Sequence, residues 1–346
     1  MARRFPMMFV ALPATPAVET VVKLRRDTVR VALFVGGVAV ATCILTLGAV
    51  PYPTHEKQWS IGIYSGPSPL DLRAPDALAN PVLTALDVTD VPAEFVADPF
   101  MIREPPTWYM FFEVFNEHSR RGEIGVATSS DALHWRYGGI VLAEPFHLSY
   151  PHVFAFDSQY YMIPESGEAR SIRLYKAEHF PTEWKLAATL VAGGTFVDSS
   201  IVRYDSTWFL FTEARPSVND TLALYYADTL AGPWHEHPQS PIVSNGPHIS
   251  RPAGRIVASN GKLFRYAQDD SPSYGTQVFA FEITDLTTAS YGERPVGHFP
   301  IVGPGRDGWN AKGMHHVDAH QLDEHAWIAC VDGAQRHWAI RFYSWR

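Results

Sequence analysis

The stretch FVADPFMIREPPTWYMFFEV, residues 95–114, decides the fold. An Asp-Pro pair opens a short apolar run, a turn follows, and an aromatic run ends on Glu113. Two such runs joined by a turn read as a β-hairpin with a carboxylate at each mouth. The outline returns four times: LSYPHVFAFDSQYYMIPES from Leu148, FVDSSIVRYDSTWFLFTEA from Phe196, ISRPAGRIVASNGKLFRYAQD from Ile249 and MHHVDAHQLDEHAWIACVDG from Met314. The copies start about 50 to 65 residues apart, which is room for four antiparallel strands, the size of a propeller blade.

Later strands keep the pattern. GEIGVATSSDALHW from Gly122, SIRLYKAEHFPTEW from Ser171 and TLALYYADTLAGPW from Thr221 each supply a third strand and end on a tryptophan. Trp135, Trp184 and Trp234 are expected to pack between blades. The fifth copy leaves room for three strands only, and QWSIGIYSG, residues 58–66, is a lone strand at the other end. Pairing residues 59–64 with HWAIRFYSW, residues 337–345, would close the ring and leave no open edge. The expected architecture is all-β: one five-bladed β-propeller over residues 58–346.

A chain of 346 residues with 46% hydrophobic content has a full core available. The net charge of −8 speaks against nucleic acid as a partner, since that needs basic patches. Aromatic residues make up 13%, which suits β-core packing and also suits stacking on sugar rings. The two cysteines, Cys43 and Cys330, suggest no structural disulfide, and no zinc-type spacing is present. Asn219-Asp220-Thr221 is a glycosylation sequon in a eukaryotic setting.

Residues 31–50, VALFVGGVAVATCILTLGAV, are uncharged over the length a bilayer needs. Lys23, Arg25, Arg26 and Arg30 precede them. The expected order is a cytosolic segment 1–30, a transmembrane helix 31–50 acting as signal anchor, and a linker 51–57. The positive-inside rule then puts the propeller on the extracytoplasmic side of a single-pass membrane protein.

In a propeller the first strand of each blade lines the central channel, and the second returns antiparallel to the same rim. First-strand starts bring Asp98, Tyr150, His152, Asp198, Arg251, His315, His316 and Asp318 to that rim. Second-strand ends bring Glu113, Glu165, Glu213, Asp269 and Asp332. Carboxyls crowded in a narrow funnel have their pKa values pushed apart, as acid–base chemistry on a glycosidic bond requires. Asp98 stands out because an Asp-Pro is awkward at a strand start. Arg251 suits either a bidentate contact to a ligand carboxylate or phosphate, or a salt bridge to Asp198 or Glu213. His315, His316 and Asp318 with Asp98 have the donor types of a metal site. Adjacent strand residues point to opposite faces, so only one of the histidines is expected to face the channel. No metal or other cofactor is expected.

ADPF, MIRE, WYMFFE and SSDALHW together resemble the first blade of family 43 glycoside hydrolases, and FVDSSIVRYDSTWFLF resembles their third. That resemblance implies Asp98 as general base and Asp198 as the carboxylate that orients and tunes the acid. The chain departs from the pattern in blade four, where ISRPAGRI holds Arg251 and Arg255 and no glutamate. The acid would then be Glu165 or, as alternative, Glu213. A closer resemblance, carried by ADPFM, GEIGVATSSD, HLSYPHVF, YYMIPES, FVDSSI, RPAGR and GMHHVDA, is to the N-terminal domain of plant glucosamine inositolphosphorylceramide transferases and bacterial relatives. It implies a glycan or glycolipid head group as ligand and a separate glycosyltransferase as partner. Two functions are expected from these residues: a glycosidase-like enzyme with Glu113, Tyr150, His152, Arg251, His315, His316 and Asp318 around the substrate, or a non-catalytic glycan-binding module serving a glycosyltransferase.

Overall fold

The computed structural model describes residues 20–22 and 49–344, with side chains described from 57 to 338. Twenty-one strands lie among the described residues. They belong to two compact units, one over Lys57–Gln335 and one comprising Met1–Glu56 with Arg336–Arg346. In the second, β1 (Thr20–Val22) pairs antiparallel with residues 340–342, Thr20 opposite Phe342.

The large unit is the propeller. Blade 1 runs β4 (Ala93–Glu104), β5 (Thr107–Asn116), β6 (Arg121–Ser129) and β7 (Arg136–Leu142). Blade 2 runs β8 (Ser149–Phe156), β9 (Gln159–Glu165), β10 (Ser171–His179) and β11 (Glu183–Ala192). Blade 3 runs β12 (Val197–Tyr204), β13 (Thr207–Glu213), β14 (Leu222–Ala227) and β15 (His235–Glu236). Blade 4 runs β16 (Val257–Ser259), β17 (Lys262–Asp269), β18 (Gln277–Leu286) and β19 (Tyr291–Pro295). In blade 5, β20 (Val317–Asp323) and β21 (Ala326–Ser344) pair, and β2 (Ala49–Ser68) and β3 (Asp71–Arg73) complete the sheet.

The ring is closed by the chain's two ends, but not with the expected split. Residues 337–344, HWAIRFYS, do not form a third strand; they continue β21, so the N-terminal side supplies two strands. Ile61 and Ile63 pack in one cluster with Ile328 and Cys330, near the start of β21. With no turn residue between Ala334 and His337, nothing in the sequence ends the second strand there. The stretch 51–57 is strand throughout and not a linker. The expected transmembrane helix lies outside the described residues except for Ala49 and Val50, which open β2. Among the described residues no helix is long and apolar enough to cross a membrane.

The core consists of five layers, each between neighbouring blades. Strand β5 shows why its run is aromatic on both faces. Side chains alternate across a strand, so Trp108, Met110, Phe112 and Val114 face blade 5, while Tyr109 and Phe111 face blade 2. Trp135, Trp184 and Trp234 join the layers of blades 5/1, 1/2 and 2/3. Each also donates its indole N–H to a carbonyl in the preceding turn: Ala132 at 3.1 Å, Pro181 at 2.8 Å and Leu230 at 3.1 Å. Gly254 (φ 135°) lets blades 4 and 5 approach at the channel, where a Cβ would lie 1.8 Å from the Val317 carbonyl oxygen.

Candidate functional site

Three blades share one backbone device. In blade 1, Ala97 pairs with Glu113 and Phe100 with Phe111, so Asp98 and Pro99 oppose a single residue. Ser149–Glu165 and His152–Ile163 frame the same bulge in blade 2, and Val197–Glu213 with Ser200–Phe211 frame it in blade 3. The first bulge residue is left-handed each time: Asp98 at φ 52°, Tyr150 at 45° and Asp198 at 50°. A bulge re-aims a side chain, and a non-glycine residue held at positive φ costs about 1–3 kcal/mol, a strain that clusters at functional sites. It also explains the prolines, since a bulge position owes no ladder hydrogen bond and Pro99 and Pro151 have none to give. The acids at the second-strand ends sit directly across from these bulges, so each hairpin brings both of its mouths to one rim.

The bulge turns Asp98 and Asp198 toward the channel axis. Arg251 donates Nε–H to Asp198 Oδ2 at 2.6 Å, and Gln268 donates from Nε2 to the same oxygen at 2.6 Å. Arg251 Nη2 lies 3.8 Å from Glu165 Oε2, its Nη1 donates to Asn219 Oδ1 at 3.3 Å, and its guanidinium stands 4.9 Å from the Tyr274 ring. On the opposite side Asp332 fixes the approach of blade 5. Its Oδ1 accepts from the backbone N–H of both His315 and His316 at 3.1 Å, and its Oδ2 accepts from Asp98 N–H at 3.2 Å. His315 Nδ1 lies 2.7 Å from Asp332 Oδ2, close enough for an ion pair although the ring N–H is not aligned on the oxygen.

The electrostatics follow from burial of like charges. Burial, with Asp198 and Asp332 added and His315 opposing, pushes Asp98 up to about 7. Glu113 is held well above the carboxylate range by burial and then by Asp98 and Glu165. Glu165 rises in the same way, from burial and the neighbouring Asp198, against the pull of Arg251. Glu113 therefore feels acids of blades 1, 2, 3 and 5 at once, which places these carboxyls around one axis. For His315 burial favours the neutral ring, but Asp332 and Asp98 outweigh it and its pKa is raised. Several buried polar atoms here accept or donate no hydrogen bond within the protein: Glu113 Oε1, which lies 3.4 Å from His147 Nε2, Asp198 Oδ1, Gln268 Oε1, Asp270 Oδ2 and both ring nitrogens of His316.

The structure brings together Asp98, Glu113, Glu165, Asp198, Arg251 and His315, and gives the polar atoms of four others protein partners. Tyr150 is fully buried, and its hydroxyl bridges to Ser200 Oγ at 2.8 Å and the Gly254 carbonyl at 3.0 Å. Its ring reaches from blade 2 to blades 3 and 4 and closes the funnel floor. His152 stacks on Phe100 at 4.9 Å, and its Nδ1 accepts from Ile201 N–H at 3.4 Å; burial drives its pKa down to about 3. Glu213 uses both oxygens on the Arg215 and Thr221 amides and Ser250, so the alternative acid has no free acceptor. Asp318 lies below the floor, bound by Met101 N–H at 2.6 Å, His320 at 2.8 Å and the Arg255 guanidinium.

Both histidines approach Asp98, contrary to the strand-alternation argument: His315 Nε2 and His316 Nδ1 lie 3.8 and 3.9 Å from its Oδ1. They precede β20, and the shared Asp332 oxygen bends their backbone out of strand geometry. Asp98, His315 and Asp332 offer ligand atoms within 4.8 Å of one another. Asp332 has both oxygens engaged by backbone N–H groups, so the trio is built as a positioning network. Four contributors escaped the sequence reading: Trp59, Gln268, Asp270 and Tyr274. Trp59 stacks on His315 at 3.9 Å, and Tyr274 meets His315 edge-on at 5.2 Å. The motif DDSPSYG was the available signal, a polar loop at the mouth of the fourth hairpin.

The chain matches the family described as glucosamine inositolphosphorylceramide transferase 1, N-terminal, over residues 52–334. It belongs to that family. Among curated relatives, glucosamine inositolphosphorylceramide transferase 1 of Oryza sativa subsp. japonica is 39% identical over 302 residues, covering 81% of this chain and 40% of that protein. The Arabidopsis thaliana protein of the same name is 33% identical over 300 residues, covering 81% and 39%. This member of the family thus spans about 40% of the length of the curated relatives it matches. Among solved structures, a thermostable family-43 glycoside hydrolase shares the fold at a TM-score of 0.53 and 14% identity, covering 75% of this chain and 92% of that one. A protein described as a glycoside hydrolase matches at 0.52 and 13% identity, covering 68% and 86%.

Proposed function

We propose that this propeller acts on the sugar end of a glycan or glycolipid head group by glycosidase-like chemistry. Asp98 is the base, Glu165 the acid and Asp198 the carboxylate that positions and tunes it. The observation that carries this reading is the pair of bulge-presented carboxylates, Asp98 and Asp198, gathered with Glu165 around one funnel. In the reaction, Glu165 would protonate the glycosidic oxygen as the C–O bond breaks, and Asp98 would take a proton from the water that bonds to the anomeric carbon. Burial and the neighbouring acids raise Glu165 well above the carboxylate range and Asp98 to about 7, the direction an acid in this pair needs. The test is release of sugar from aryl glycosides and inositol-linked glycolipid head groups by the full-length protein in detergent. Release that persists in both Asp98→Asn and Glu165→Gln would rule the assignment out.

A second reading has its own observation. Arg251, in the chain leading into the first strand of blade 4, forms an ion pair with Asp198, which favours a binding module that serves a separate glycosyltransferase. Tight sugar binding with no turnover by the wild-type protein would select it. In either case the uncharged stretch ahead of the propeller is proposed to anchor it, with the propeller outside the cytosol. Protease protection in sealed vesicles checks this, and a propeller cleaved only from the cytosolic side would exclude it.

A further inference from the structure

The propeller has a second concave face. First strands begin at the funnel rim and run down, so their far ends reach the opposite side of the ring. There a cavity of about 260 Å³ opens between blades 2 and 3. Phe154 and Phe156 of β8, Ile201 of β12 and Trp208 of β13 form its walls. Phe154 and Phe156 lie further along β8 than Tyr150, so the floor that Tyr150 makes separates this cavity from the funnel.

Its charge is one-sided. Of the residues around it only His152, Arg203 and Arg255 ionise; none is an acid, and burial keeps His152 neutral. Arg255 turns two of its nitrogens away. Nε binds Asp318, and Nη2 donates to the Met101 and Val153 carbonyls at 3.0 and 3.2 Å. Its Nη1 donates to no described residue and is not among the buried polar atoms, and the side chain is 19% exposed. Arg203 is exposed, with its guanidinium 5.4 Å from the centre of the Phe156 ring and no acid partner among the described residues. A guanidinium held by a ring and not by a carboxylate keeps its donors for another acceptor.

The walls and the charge behind them narrow the ligand. Trp208 meets Phe156 edge-on at 4.9 Å and Phe154 tilted at 5.9 Å, a surface that suits a further flat ring. The volume is below the range of about 300–1,000 Å³ that drug-sized ligands fill, which leaves room for one or two rings. Asp318 stands behind Arg255. Despite burial, Arg255 and His320 hold it ionised, so it offsets one of the two arginines. The charge left over matches a single negative charge, and the second charge of a phosphate has no counterpart.

We propose that this lower pocket binds a small aromatic monocarboxylate, with its ring against Phe154, Phe156 and Trp208 and its carboxylate toward Arg255 Nη1 and Arg203. The site does not depend on the glycan reading of the funnel.

Saturation-transfer NMR and calorimetric titration of the full-length protein in detergent near neutral pH, with protein-free detergent as blank, test the proposal. The probes are benzoate, phenylacetate and 2-naphthoate, each beside its carboxamide, with cyclohexanecarboxylate and phenyl phosphate as further arms. One aromatic carboxylate should bind at least about tenfold tighter than its amide, and tighter than both further probes. Arg203→Gln, at an exposed position, should weaken that acid about fivefold and leave the amide unchanged. The photolabel 4-azidobenzoate should attach within residues 152–156 or 201–208. Equal affinity of acid and amide, an acid preference unmoved by Arg203→Gln, tighter binding of cyclohexanecarboxylate or phenyl phosphate, label in the funnel residues 95–98 or 268–274, or binding of no probe would each overturn the proposal and leave the glycan reading intact.

Discussion

The channel buries carboxylates at two levels, and they behave in opposite ways. Below the floor, Asp318 has every oxygen engaged: Met101 N–H, His320 and the Arg255 guanidinium, which also donates to the Met101 and Val153 carbonyls at 3.0 and 3.2 Å. Its carboxyl is held below the usual range because Arg255 and His320 outweigh burial. Above the floor, Asp98 and Glu113 are buried and Glu165 is half-buried, all three with fewer hydrogen bonds than Asp318, and their carboxyls are raised. The lower cluster ties blades 1, 2, 4 and 5 together and leaves no carboxylate oxygen open. The upper one sacrifices stability to keep acceptors and titratable groups ready for a ligand, as functional sites do.

The largest effect expected from breaking this contrast is catalytic. Asp98→Asn should lower turnover about 10²–10⁴-fold, the worth of a positioned base, with the fold intact by circular dichroism. Asp318→Asn should do the reverse kind of damage. It leaves the half-buried Arg255 without its carboxylate, at a cost of about 3 kcal/mol measurable by denaturant titration.

Titration separates the two levels in sign. Asp98 binds its proton more tightly folded than unfolded, so its contribution favours folding at low pH and is lost as pH rises from 3.8 to about 7. Asp318 contributes above the unfolded carboxylate value of 3.8 and loses that contribution as pH falls below it. Measured against Asp98→Asn, in which the opposite contributions of the buried neutral His152 and His316 cancel, the wild-type melting temperature should therefore fall between pH 5 and 8, by roughly 2–4 °C for each kcal/mol involved. A wild-type advantage over Asp98→Asn that grows across that interval would contradict the raised Asp98 carboxyl. The smallest effect belongs to Tyr274→Ala. The ring is 39% exposed and braces Arg251 and His315. Its loss should weaken sugar binding about fivefold or less, with no change in melting temperature.

Much of this was legible in the chain. The fivefold hairpin repeat, the blade tryptophans and the meeting of Asp98 with Glu113 all follow from local periodicity and from the rule that paired strands bring their ends together. Arg251 could be read as paired or free, and only the packed ring shows it on Asp198. Tyr150 has the same bulge position as Asp98 and Asp198, but its larger side chain reaches across the channel and becomes floor. His152, Glu213 and Asp318 sit at positions that sequence assigns to the rim, yet neighbours from other blades use up their polar atoms.

The sequence by itself determined the blades, because each is a local unit whose alternation and turns are written in consecutive residues. The closing of blade 5, the approach of both His315 and His316 to Asp98, and the division between satisfied and unpartnered carboxylates were decided only by tertiary structure. Each depends on contacts between residues far apart in the chain, such as Asp98 with Asp332 and Asp318 with Met101, and burial and hydrogen bonding at such meeting points have no signature in any one segment.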